Sequence, residues 1–140
     1  MSFPIIVWTL TALAAVAVVL TRRRLKSDGA AGRFSISRRL PLTHFVAGTL
    51  ALLVWIPMLV APDDSFLGGP LMGILAVALW WVTALCGLLI LMRWLPVKGR
   101  HAPQATSDGW SDGPGLSLLA HLGMTAGVLV FTYAYLTAAV

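Results

Sequence analysis

An all-α membrane protein with four transmembrane helices is the fold class this chain predicts, on three observations. Of its 140 residues 59% are hydrophobic and 11% are charged, against roughly 25% charge in an average soluble domain. The mean hydropathy is +0.88. Four apolar stretches are long enough to cross about 30 Å of hydrocarbon at about 1.5 Å per helical residue. Every Lys and Arg falls in two of the three segments between those stretches. Helices are expected because an open strand edge in lipid leaves backbone groups unpaired. A single domain over residues 1–140 is expected.

The first span is placed near 3–21. Its arginines follow the apolar run instead of preceding it, unlike a secretory leader, so it is expected as a retained span with its N-terminus translocated. The segment "TRRRLKSDGAAGRFSISRR" comes next, with Arg22, Arg23, Arg24, Lys26, Arg33, Arg38 and Arg39. The second span lies near 43–61, and Pro57 is expected to kink its outer end. The short "PDDSFLGG" carries Asp63 and Asp64 and no base. The third span lies near 71–92, followed by Arg93, Lys98 and Arg100; the fourth lies near 116–138.

Basic residues flank membrane spans on the cytoplasmic side. Loops one and three are therefore expected in the cytoplasm and both termini outside, in a multi-pass protein of the plasma (inner) membrane. Arg22, Arg23, Arg24, Arg38 and Arg39 act as topology signals facing anionic headgroups. The net charge of +5 is thereby accounted for without nucleic acid, which is not expected as a partner. Cys86 is the sole cysteine, so no internal disulfide or cysteine-cluster metal site can form. It is expected as a small packing residue.

Spans one and three resemble each other. At an offset of 72, Trp8 meets Trp80, Thr11 meets Thr83, Ala12 meets Ala84 and Leu13 meets Leu85. Each is followed by bases and an "SDG", then by a helix with an early histidine, His44 or His121. Two readings stand: a two-helix unit duplicated in parallel, or chance matching among apolar spans.

Helical spacing sets Trp80, Thr83, Gly87 and Trp94 on one line of span three, and Trp8, Thr11, Ala15 and Val18 on span one. Span two offers His44, Gly48, Ala51 and Trp55; span four offers His121, Thr125, Val128, Thr132 and Tyr135. Small and hydroxyl residues mark contact between helices in lipid, so these lines are expected to face one another in a four-helix bundle. Gly123 and Gly127 form a G-x-x-x-G on the other side of span four, a second packing face. Trp8 and Trp55 are assigned to an outer aromatic belt and Trp94 to an inner one. One of Trp80 and Trp81 is expected to pack inside.

No acidic residue lies within a span, so the intramembrane carboxylate typical of proton-coupled carriers is missing. Phosphate loops, nucleophile elbows and H-E-x-x-H are absent from the sequence. Two histidines remain, at matching depth near the cytoplasmic ends of parallel helices. Either they are structural, bonded to water or backbone at the interface, or they are ligands. A neutral imidazole is a common axial ligand of b-type haem, and His44 and His121 could serve one iron from opposite sides, with haem propionates near Arg38 and Arg39. Bis-histidine four-helix haem proteins of the cytochrome b561 type have a related architecture but carry more histidines; no family assignment follows. His101 is expected in a solvated loop.

The leading expectation is an accessory or anchor subunit of a larger membrane complex, with respiratory complexes the first hosts to consider. Its expected partners are the lipid bilayer and other membrane subunits, or a second copy of itself, and no catalytic site is expected. The alternatives are a b-type haem protein using His44 and His121, and a small transporter or channel that must oligomerise.

Overall fold

The computed structural model describes residues 2–26, 39–94 and 115–139, with the side chains of residues 24–26, 93, 94 and 115–117 outside that description. The described residues form four helices: α1 (Phe3–Lys26), α2 (Arg39–Val60), α3 (Pro70–Trp94) and α4 (Gly115–Leu136). All four are long and apolar enough to cross a membrane, and no strand occurs among the described residues. Each begins or ends within a few residues of its expected position. Loop residues Arg33, Arg38, Lys98, Arg100 and His101 lie outside the described residues.

Backbone accounting explains the helix ends. The Ser2 carbonyl accepts from the amides of Ile5 and Ile6. Pro70 opens α3, where its missing N–H costs nothing. The Gly69 carbonyl takes the Met72 amide at 3.1 Å. Between α2 and α3 the chain turns tightly: Ser65 Oγ donates to the Pro62 carbonyl at 2.6 Å and accepts from the Gly68 amide at 3.0 Å. A side chain at Gly68 would overlap the Pro62 carbonyl, so this turn requires glycine. α4 closes with Ala138 at φ 48° and the Ala139 amide on the Ala134 carbonyl at 2.9 Å, the six-to-one bond of a left-handed cap. Pro57 lies inside α2, which continues past it to Val60.

Each helix packs against its neighbours in sequence, and α1 also meets α4; the backbones of α2 and α4 do not approach each other, nor do those of α1 and α3, among the described residues. α2 and α3 are the closest pair. Small residues allow this: Ala47, Gly48 and Ala51 on α2 are buried, as are Ala76 and Ala84 on α3. A methyl group placed at Gly48 would stand 3.3 Å from both Thr83 Cγ2 and Val18 Cγ2. Without a hydrophobic drive between helices in lipid, such close approach supplies the attraction.

Three aromatics fill the middle. Phe131 stacks on Trp55 and Trp80 with ring centroids 4.8 and 5.3 Å apart. All three are fully buried. Two indole–hydroxyl bonds tie helices at this level: Trp55 Nε1 donates to Thr11 Oγ1, and Trp81 Nε1 to Thr132 Oγ1, both at 3.1 Å. Thr11 and Thr132 in turn donate to carbonyls four residues back, so these hydroxyls are paired inside the helices. Trp80 Nε1 is buried without a hydrogen-bond partner.

That contrast gives a prediction. Trp55→Phe loses the bond to Thr11, whose hydroxyl keeps its bond to the Val7 carbonyl, whereas Trp80→Phe loses the same atoms and no bond. Trp55→Phe should therefore cost about 1 kcal/mol more, read as the difference in unfolding free energy in mixed detergent micelles. Equal costs would contradict the bonding pattern.

Several expected faces need correction. Trp55 is not a belt residue; it is wholly buried. On α1 the buried line is Val7, Thr11 and Ala14, so the helix is rotated from the expected line and Trp8 is 42% exposed. Trp80 is buried and Trp81 half-buried, so both Trp80 and Trp81 pack inward, where one was expected. Cys86 is buried, as expected. Outward-facing positions are mostly apolar, including Leu53, Leu119 and Met92, and the exposed Thr9 hydroxyl is paired with the Ile5 carbonyl.

Candidate functional site

His44 begins the second turn of α2 and His121 that of α4. These two helices stand opposite each other, yet the two side chains reach across the gap. Their ring centroids are 6.1 Å apart and their planes are tilted by 36°. The place where they meet is Gly87 on α3. A methyl group there would lie 2.7 Å from His121 Cδ2, 3.2 Å from His44 Cε1 and 3.5 Å from His121 Nε2. Any larger residue at 87 must displace at least one ring. Thr83, one turn earlier on α3, holds the other end of the His44 ring: Nδ1 lies 2.9 Å from its carbonyl oxygen. A carbonyl only accepts, so Nδ1 carries the hydrogen and, in the neutral ring, Nε2 is bare. This is the arrangement by which a backbone carbonyl orients a ligating imidazole.

Thus α3 builds the site. Thr83 and Gly87, expected as packing residues, each hold a histidine in place. Gly48 seats Thr83 against α2. His121 makes an interaction of its own, and its carbonyl accepts from Thr125 Oγ1 at 2.8 Å.

Beside the His44 ring is a cavity of about 30 Å³, bounded by Ala14, Ala17 and Val18 of α1, His44 of α2, Thr83 of α3 and Met124 of α4. It has room for a water molecule or an ion. Sequence reasoning missed Met124, because methionine in an apolar run reads as lipid-facing bulk. Its spacing of three from His121 was the available signal.

The paired rings match the donor set expected for b-type haem. The space does not match: the Gly87 backbone and the helix it belongs to occupy the edge of the gap where a macrocycle would extend, and the adjoining cavity is far smaller than a porphyrin. Among the described residues no group of three or more His, Cys, Asp or Glu comes together.

The other expected site residues separate. Gly127 is buried, with Leu10 Cδ2 3.9 Å from a methyl placed on it, whereas Gly123 has open space around it. Arg22, Arg23 and Arg39 are exposed at the same end of the molecule as the histidines. At the opposite end, the Tyr135 ring occupies the space where a side chain at Gly73 would stand, and its hydroxyl donates to the Pro70 carbonyl at 2.9 Å.

Fold and site together define a multi-pass helical membrane protein with two histidines held between its helices. No family model, curated protein or solved structure matches the chain.

Proposed function

We propose that this chain is a small polytopic subunit of the plasma (inner) membrane, a four-helix bundle with both termini outside and loops one and three in the cytoplasm. It works by lateral association with other membrane subunits or with a second copy, and catalyses no reaction of its own. One observation carries this reading: the interior is closed. Trp55, Phe131 and Trp80 fill the middle among the described residues, where a solute would have to pass between the helices. What α4 leaves accessible is its outer side, where Ala120, Gly123 and Ala126 are exposed neighbours. Small residues on a lipid-facing surface admit another helix at close range.

Cysteine placed at Gly123 tests this in native membranes. A discrete cross-linked species is the expected result, and the species formed by Ala126→Cys should be lost when Gly123→Leu is added to it. A chain that stays at monomer mass, or that moves solute in proteoliposomes, contradicts it. Haem b between His44 and His121 is the second reading, favoured by the meeting of the two rings. It requires α3 to withdraw at Gly87, and its signature is a Soret band lost in either histidine variant.

A further inference from the structure

We propose that His44 and His121, with Met124 beside them, bind a single soft monovalent cation, Cu(I). The inference is independent of lateral association and rests on five features of the site.

The first is spacing. Imidazole nitrogens lie about 2.0–2.1 Å from first-row metals, so two rings sharing one ion in line have nitrogens about 4 Å apart and ring centres about 6 Å apart. The observed separation of centres is 6.1 Å. The second is direction. With Nδ1 of His44 committed to the Thr83 carbonyl, its Nε2 is the free donor. His44 Cε1, the ring carbon bonded to that Nε2, and the Cδ2–Nε2 edge of His121 both lie over Gly87, so the two rings present edges to the same spot. The third is the lack of obstruction, since Gly87 contributes no side chain there.

The fourth feature selects the metal. Met124 borders the cavity on the His44 and Thr83 side of the pair, and it follows His121 by three residues on α4, one turn further along the same helix. Thioethers are soft donors that select Cu(I), and imidazole also suits copper. Zinc prefers four ligands in a tetrahedron, and the described residues bring no third His, Cys, Asp or Glu to this place. Calcium and magnesium need oxygen donors that are likewise missing. The fifth is charge. The site lies within the spans, has no carboxylate near it among the described residues, and shares its end of the molecule with exposed Arg22, Arg23 and Arg39. A single positive charge is far less costly there than two, because desolvation cost grows steeply with charge. Binding transfers no electron: copper enters and remains as Cu(I), displacing at most a proton shared by the rings.

The test uses the full chain in detergent without oxygen, with Cu(I) offered in competition with a chromophoric chelator, Ag(I) as a redox-inert probe and Zn(II) as the divalent control. One Cu(I) or Ag(I) per chain is expected, with Zn(II) held far more weakly. His44→Ala and His121→Ala should each weaken retention by at least about 100-fold. Met124→Leu, which conserves volume, should weaken it by about 10-fold and remove a sulfur neighbour from the copper X-ray absorption spectrum while leaving the nitrogens. Should a histidine variant fail to fold, Gly87→Ala keeps both histidines and should still lower retention. The proposal is overturned by a chain that retains no Cu(I), by retention unchanged in the histidine variants, by Zn(II) binding as tightly, or by a haem Soret band arising from the same two residues.

Discussion

Gly87→Ala should separate the two histidines while leaving the protein almost as stable as before. The new methyl would stand 2.7 Å from His121 Cδ2, so that ring has to move by about 1 Å to reach ordinary contact. His121 ends in a flexible side chain, so the movement is inexpensive. Replacing glycine in a helix interior also gains about 1 kcal/mol of intrinsic helix propensity. The two effects oppose each other, and net stability should change by less than about 1 kcal/mol. Contact between the His44 and His121 rings should nevertheless be lost. A variant with wild-type stability and an undisturbed ring contact would show that Gly87 does not seat the pair.

Phe131→Ala should have the largest effect on stability. Phe131 is 1% exposed and touches both Trp55 and Trp80. Removing a fully buried phenyl ring costs about 3–5 kcal/mol, most of it from the cavity left behind. Trp55 is held back from closing that gap by its bond to Thr11. Detergent-titration unfolding should show this loss, and a change below 1 kcal/mol would mean that the aromatic stack is not the centre of the structure. The same substitution bears on function, since it opens the middle of the molecule. Solute leakage in Phe131→Ala proteoliposomes, absent in wild type, would be the direct sign that the stack is a plug.

The number and extent of the helices were legible because length and hydropathy alone decide them. The rotation of each helix was harder to read. A soluble helix announces its inner face by apolar periodicity; a span in lipid is apolar all round, and only small, hydroxyl and aromatic residues mark its contacts. Those marks served well on α2, where Gly48, Ala51 and Trp55 are all buried. They misled on α1, where the line of Trp8, Thr11, Ala15 and Val18 is expected to face inward. Trp8 faces out, and the inner line starts one residue earlier at Val7. Trp55 was correctly placed on the His44 face yet assigned to a belt, because sequence gives distance from a span end but not burial.

The histidine pair was the more legible part of the site. Two early histidines in parallel helices suggested one shared place, and the rings do meet. The same offset of 77 that relates His44 to His121 relates Trp55 to Thr132, and each of these residues joins an indole–hydroxyl bond to a neighbouring helix. The part played by α3 was not legible. Nothing in sequence says that the Thr83 carbonyl takes a ring nitrogen or that Gly87 is the floor beneath two imidazoles. Those are consequences of how closely α3 approaches α2, which depends on packing contributed by both helices.

His44 and His121 share one site although the backbones of their helices do not approach each other. Solid-state NMR of the chain in liposomes, with carbon- and nitrogen-labelled histidine, tests it most directly. A through-space correlation between two imidazole rings is expected, disappearing in His44→Gln and in His121→Gln and persisting in His101→Gln. Three independent imidazole signals with no correlation between the rings of His44 and His121 would contradict it.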